Sequence, residues 1–143
     1  MKLVPITREI ARSPEASRSE LLAGICQAMI ALYPGGEPVL PWAGYLARDE
    51  EFIGTCAFKS VPRAGAVEIA YFTFPEHEGR GVATAMARML VDLAFENGVR
   101  AVRAQTLPQE SASTSLLRKL DFTLAGEEMH PTDGRVWEWR LER

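Results

Sequence analysis

The residues with the most chemical promise in this chain run from Pro75 to Met86, Pro-Glu-His-Glu-Gly-Arg-Gly-Val-Ala-Thr-Ala-Met. Gly79 and Gly81 sit where an apolar, β-branched run ends and a helical pattern begins. The first-turn amides of such a helix have no intrahelical partner and lie at the positive pole of its dipole. Glycines at the entry let a ligand approach the backbone with no Cβ in the way, so the arrangement suits a phosphate or pyrophosphate. The plainer reading is a strand-to-helix turn that needs permissive backbone and nothing more. Two other phosphate patterns do not fit: no Gly-Lys-Ser/Thr is present for a nucleoside triphosphate, and the dinucleotide pattern Gly-x-Gly-x-x-Gly is absent. Cys26 and Cys56 form no metal-ligand cluster with His77 and His130, so no metal is expected. Both thiols fall in apolar patterns and read as buried free cysteines. The two histidines fall in turn segments and read as surface residues.

The elements that must position this loop follow from periodicity. Val67 to Phe74, Val-Glu-Ile-Ala-Tyr-Phe-Thr-Phe, reads as a strand stopped by Pro75. Beyond the loop, Val82, Met86, Met89, Leu90 and Leu93 mark one face of a helix that ends at Asn97-Gly98. Upstream, Leu3 to Ile6 is a short strand, and Ser13-Pro14-Glu15 opens a stretch of one or two helices with Leu21, Leu22, Ile25, Met29 and Leu32 as its apolar face. Trp42 to Ala47 and Phe52 to Lys59 form a hairpin across a polar turn. Downstream, Ala101 to Leu107 is a strand and Ser113 to Leu120 a short helix with Leu116, Leu117 and Leu120 inward. Phe122 to Glu128 and Val136 to Leu141 close the chain as a hairpin around Pro131-Thr-Asp-Gly134. The order β-α-β-β-β-α-β-α-β-β predicts an α/β fold: a mixed, mostly antiparallel, twisted sheet of about seven strands with helices on both faces.

A length of 143 residues suits one domain over residues 1–143. With 47% apolar and 24% charged residues and no apolar run long enough to span a bilayer, the chain reads as an ordinary globule without a membrane role. Met1-Lys2-Leu3-Val4-Pro5 lacks the long apolar segment of a secretion signal, so a cytoplasmic location is expected. The net charge of −3 and the lack of any lysine or arginine run argue against a nucleic-acid surface. An exposed sheet edge would allow a homodimer.

Glu78-Gly79-Arg80-Gly81-Val82-Ala83 resembles the coenzyme A pyrophosphate loop of the GNAT N-acetyltransferases, Gln/Arg-x-x-Gly-x-Gly/Ala, with Glu78 where Gln or Arg is usual. Thr106 to Phe122 is similar to the family's later signature, Thr-Leu-Pro-Glu-Asn-x-Ala-Ser-x-x-Val-Leu-x-Lys-Leu-Gly-Phe, matching at Ala112-Ser113 and at Lys119-Leu120-x-Phe122. The resemblance runs from about Glu68 to the closing hairpin. It implies a GNAT-like fold and transfer of the acetyl group of acetyl-CoA to a primary amine, on a small molecule or a protein, by direct attack on the thioester. Under it, Gly79, Arg80, Gly81, Val82, Ala83 and Thr84 hold the pyrophosphate through backbone amides, with Glu78 turned to solvent. Tyr71, Phe72 and Thr73 pair with the pantetheine arm and polarise the thioester carbonyl, and Ser113 lies beside that arm. Helix capping is the other role open to Ser113. The segment from Tyr33 to Leu40 becomes a candidate acceptor wall, while Trp42, Trp137 and Trp139 serve either that wall or the core.

The catalytic constellation departs from the family pattern. The tyrosine many relatives use as general acid corresponds to Leu117, a strand glutamate found in some corresponds to Gln105, and a frequent asparagine corresponds to Glu110. Glu68, a carboxylate in an otherwise apolar strand, is the leading candidate to take the amine proton, with a solvated strand-start position as its plainer reading. Glu110 is second, with favourable placement at a helix N-terminus as its plainer reading. A coenzyme thiol leaves with little help from an acid. The missing tyrosine and asparagine also keep open a non-catalytic acyl-CoA-binding sensor.

Overall fold

The computed structural model covers all 143 residues. Three hydroxyl side chains organise the first forty of them. Thr7, Ser13 and Ser19 each accept a hydrogen bond from the amide three residues on, and so start α1 (Arg8–Ala11), α2 (Pro14–Ser17) and α3 (Glu20–Leu32). The stretch predicted to open at Ser13 is therefore two helices, because Ser19 is extended and caps a fresh start.

Seven strands follow the expected order: β1 (Lys2–Pro5), β2 (Gly44–Arg48), β3 (Phe52–Phe58), β4 (Ala66–Thr73), β5 (Ala101–Thr106), β6 (Thr123–His130) and β7 (Gly134–Glu142). Two further helices, α4 (Val82–Glu96) and α5 (Ala112–Lys119), lie between β4 and β5 and between β5 and β6. The strands make one sheet in the order β1-β2-β3-β4-β5-β7-β6. Every pairing is antiparallel except β4 with β5, the two strands that the α4 crossover joins. No helix is long and apolar enough to cross a membrane.

Strand alternation splits the buried side chains between two cores. Ile6, Leu22, Cys26, Leu46, Phe52 and Phe74 pack together beneath α1, α2 and α3. On the other face Tyr45, Ile53, Cys56, Val67, Ile69, Val102 and Trp139 pack against Met86, Leu90 and Val91 of α4 and Leu116 and Leu117 of α5. Both long helices bury a face rotated from the predicted one. In α4, Ala87, Val91 and Ala94 are buried beside Met86 and Leu90, because small residues let the helix come close to the sheet. In α3 the buried residues are Leu22 and Cys26, which leaves Leu21 46% and Leu32 72% exposed.

Tyr33 turns inward at the end of α3. Its hydroxyl donates to the Ile6 carbonyl at 3.0 Å and accepts from the Gly44 amide at 3.0 Å, tying the helix to β1 and β2. Trp139 is buried with its indole N–H donating to Thr106 Oγ1 at 2.9 Å, Trp137 meets it edge-on, and Trp42 packs edge-on against Phe58. All three tryptophans are thus packing residues.

The feature that matters for function is where the sheet opens. β4 pairs with β5 only over Ala66–Glu68 against Ala101–Arg103. Beyond Glu68, β4 stays with β3 as far as Thr73, and β5 stays with β7 as far as Thr106. The two strands part into a V with Glu68 and Arg103 at its apex.

Candidate functional site

Hydrogen-bond parity decides which backbone groups face the V. The Glu68 carbonyl accepts from the Lys59 amide at 2.9 Å and the Phe74 amide donates to the Ile53 carbonyl at 3.0 Å, so the even-numbered residues of β4 spend their backbone groups on β3. By alternation the Ile69 carbonyl and the N–H and C=O groups of Tyr71 and Thr73 point into the cleft, on an edge with no strand partner beyond the Glu68–Arg103 pair. An extended ligand can add to that edge as a strand would.

At the mouth of the V the loop after β4 enters α4. Gly79 and Gly81 both adopt left-handed backbone, with φ of 78° and 77°. Gly81 is the N-cap of α4 and offers no side-chain oxygen, so the following amides are left for a ligand. A Cβ at either glycine would meet nothing within 4 Å; their glycine requirement is conformational, and the space above them is open.

These parts border one open pocket of about 770 Å³. Tyr71, Phe72 and Thr73 form one wall, Gly79 and Gly81 to Thr84 form the end at α4, and Ser113 of α5 lies opposite. Arg80 alone of the predicted loop residues is elsewhere: its side chain lies with Asp49, Glu50, Glu51 and His77 beside the β2–β3 turn. Glu78 is exposed and borders the pocket. Lys119 was not anticipated as a site residue, although it is the only cation on the pocket lining. Its signal was its place three to four residues after Ser115 and Leu116, on the α5 face that meets the cleft.

Ser113 does not cap α5. That role falls to Ser111, whose side chain and backbone exchange hydrogen bonds with Thr114 in a capping box. Ser113 instead shares the pocket lining with Tyr71, whose hydroxyl burial pushes up to about 12.

Glu110 is on the surface outside the pocket, with its carboxylate engaged by Arg118 and by Thr114. The Arg118 hydrogen bond, then the Thr114 one, hold it below the usual carboxylate range. Glu68 is placed differently. Its side chain is 18% exposed and shares a face of the sheet with Ala70 and Phe72. The Lys59 ammonium lies 2.5 Å from Glu68 Oε2, off the direction of a hydrogen bond, so this buried oxygen has a counter-ion and an unused lone pair. Across the apex, Arg103 pairs with Glu138 at 3.2 Å, and Gln105 donates to the same carboxylate. Lys59 just beyond β3, Glu68, Arg103 and, diagonally across from it, Glu138 thus form a chain of alternating charge across the sheet.

The cysteines are buried and free, and burial raises both thiols, Cys56 to about 12. His77 is more enclosed than a turn position suggests, at 12% side-chain exposure, because Glu51 lies 3.0 Å from its Nε2. The segment from Tyr33 to Leu40, expected as an acceptor wall, does not line this pocket, and Tyr33 is spent on the core.

Known proteins share this architecture. The chain is 33% identical over 86 residues, 57% of its own length and 47% of the relative's, to the probable N-acetyltransferase YjcK of Bacillus subtilis. It spans about half the length of the curated relatives it matches. Among solved structures, Mycobacterium smegmatis RimJ in complex with CoA-disulfide superposes with a TM-score of 0.69 at 20% identity, over 98% of this chain and 68% of that one. YncA, a putative acetyltransferase from Salmonella typhimurium with its cofactor acetyl-CoA, gives a TM-score of 0.62 at 21% identity, over 73% of this chain and 66% of that one. Residues 6–123, which include both the splayed strands and the glycine loop, match the acetyltransferase (GNAT) domain, and the chain belongs to that family.

Proposed function

We propose that this protein transfers the acetyl group of acetyl-CoA to a primary amine in the cytosol. The observation that carries the reading is the meeting of an unpaired strand edge and an uncapped helix N-terminus in one pocket. The first suits the amide-bearing pantetheine arm and the second its pyrophosphate. The coenzymes bound in YncA and RimJ, proteins of the same fold, support the assignment. The inward amides of Tyr71 and Thr73 are placed to polarise the thioester carbonyl. Glu68, on the same strand, takes the amine proton, and the neutral amine attacks; the C–N bond forms, the C–S bond breaks, and the thiolate leaves. Gly79 and Gly81 to Thr84 supply the pyrophosphate cradle, with Arg80 contributing its backbone amide, and Ser113 flanks the arm.

The absence of the family's tyrosine, with Leu117 in its place, favours a second reading, an acyl-CoA-binding module without turnover. One experiment separates them. Acetyl-CoA at about a hundred times its dissociation constant should stabilise the fold by roughly 2.7 kcal/mol in thermal or denaturant melts. Free-thiol release with a panel of amines should then show turnover. Stabilisation without release from any amine selects the binding module, and a melt unmoved by millimolar acetyl-CoA removes both readings.

A further inference from the structure

Behind the coenzyme pocket, on the face of β4 that carries Glu68, an open groove of about 260 Å³ runs between α3 and the sheet. Its floor is the opposed pair Ala57 and Ala70, where two small side chains leave room under the helix. Ile25, Met29 and Leu32 of α3 form one wall, and Phe72 the other. Phe72 also borders the coenzyme pocket, so the groove and that pocket meet at β4. Along the strands, Thr55 faces Phe72, Ala57 faces Ala70, and the next pair in the row is Lys59 with Glu68.

The chemistry of the groove is one-sided. None of its ten lining residues carries a charge, and nine are hydrophobic. A polycation entering it would find no carboxylate on the lining, and at its end a Glu68 carboxylate already countered by the Lys59 ammonium. Its volume falls just under the range of about 300–1,000 Å³ usual for whole small-molecule sites, which suits one side-chain-sized group rather than a large ligand. We infer that the acceptor is a primary amine bearing an apolar body, of leucine or phenylalanine side-chain size, that lies on the Ala57–Ala70 floor against α3 with the amine beside β4. The inference rests on the acetyl-transfer reading above and adds the class of acceptor to it.

The test compares hexylamine and phenethylamine with ethylamine, putrescine and spermidine, and tetrapeptides that begin with Phe or Gly, in the wild type and in Leu32→Glu. Leu32 is 72% exposed, so its replacement leaves the core intact while placing a carboxylate at the groove mouth. The expected result is a kcat/KM for the apolar amines about tenfold to a hundredfold above ethylamine and the polyamines, the scale for burying a group of this size. That preference shrinks in Leu32→Glu. The peptides tell which source the amine comes from, a free molecule or a chain end, by whether the Phe peptide shares the preference. Equal or better turnover of ethylamine or spermidine, or a preference untouched by Leu32→Glu, overturns the inference. If no amine is turned over, calorimetric titration of hexylamine into coenzyme A-loaded protein decides. Binding that Leu32→Glu abolishes keeps the groove assignment while the transfer reading falls, and no binding removes the assignment itself.

Discussion

Glu68 is the last residue of β4 with partners on both sides, and its neighbours in the row define what it can do. Lys59 supplies a counter-charge without a directed hydrogen bond, and Ala70 next along the face is too small to cover the carboxylate. Glu110, by contrast, has both Arg118 and Thr114 on its carboxylate and is exposed at the start of α5, which is the plainer of its two sequence readings. Glu68→Gln keeps size and removes basicity. It should leave coenzyme affinity unchanged and lower turnover of the best acceptor by about a hundredfold or more, the usual scale for a positioned base. The loss should be greatest at low pH, where free amine is scarce. Steady-state rates across the pH range check this, and a variant within a few-fold of wild type throughout would hand the proton to solvent.

At the scale of elements, the entry to α4 and its exit make a controlled pair. Gly81 and Gly98 both have positive φ, 77° and 91°, and a Cβ on either meets nothing within 4 Å. Alanine at either position forces an L-residue into left-handed backbone, a cost of about 1–2 kcal/mol. Only Gly81 borders the pocket. Gly81→Ala and Gly98→Ala should therefore lose similar stability in denaturant melts, while calorimetry shows coenzyme A affinity falling about tenfold or more in the first alone. Equal affinities in the two variants would take the cradle away from Gly81. The α4 entry was legible in the sequence because two glycines, a proline stop and a clean helical period coincide there. The orientation of α3 was not. Its apolar residues, Leu21, Leu22, Ile25, Cys26, Ala28, Met29, Ile30 and Leu32, surround most of the helix, so periodicity cannot choose which stripe docks. The groove exists because Leu22 and Cys26 were buried and Ile25, Ala28 and Leu32 were not. Equally hidden was the point at which β4 and β5 part, which depends on long-range pairing and not on either strand's composition.

The whole molecule carries a signature at alkaline pH. Burial pushes the Cys56 thiol from 9.0 and the Tyr45 and Tyr71 hydroxyls from 10.0 up to about 12. Below about pH 9 all three are neutral in folded and unfolded chains alike and cost nothing. As the pH rises past 9 and 10 the unfolded chain ionises first, so stability should fall steadily until the native groups titrate near 12. Denaturant midpoints that stay level between about pH 8 and 11 would show these groups open to water. The alternation of β4 reaches further still, into how the chain can be altered through descent. Its odd residues turn their amides to the cleft while its even residues turn side chains to the groove, so the strand has a parity that both halves of the site read. Inserting or deleting one residue between Ile69 and Thr73 would exchange the two sets, and two residues would restore them. Viable length changes in this segment should come in pairs or be absorbed by a bulge, a rule that composition alone does not impose on any other strand of the sheet.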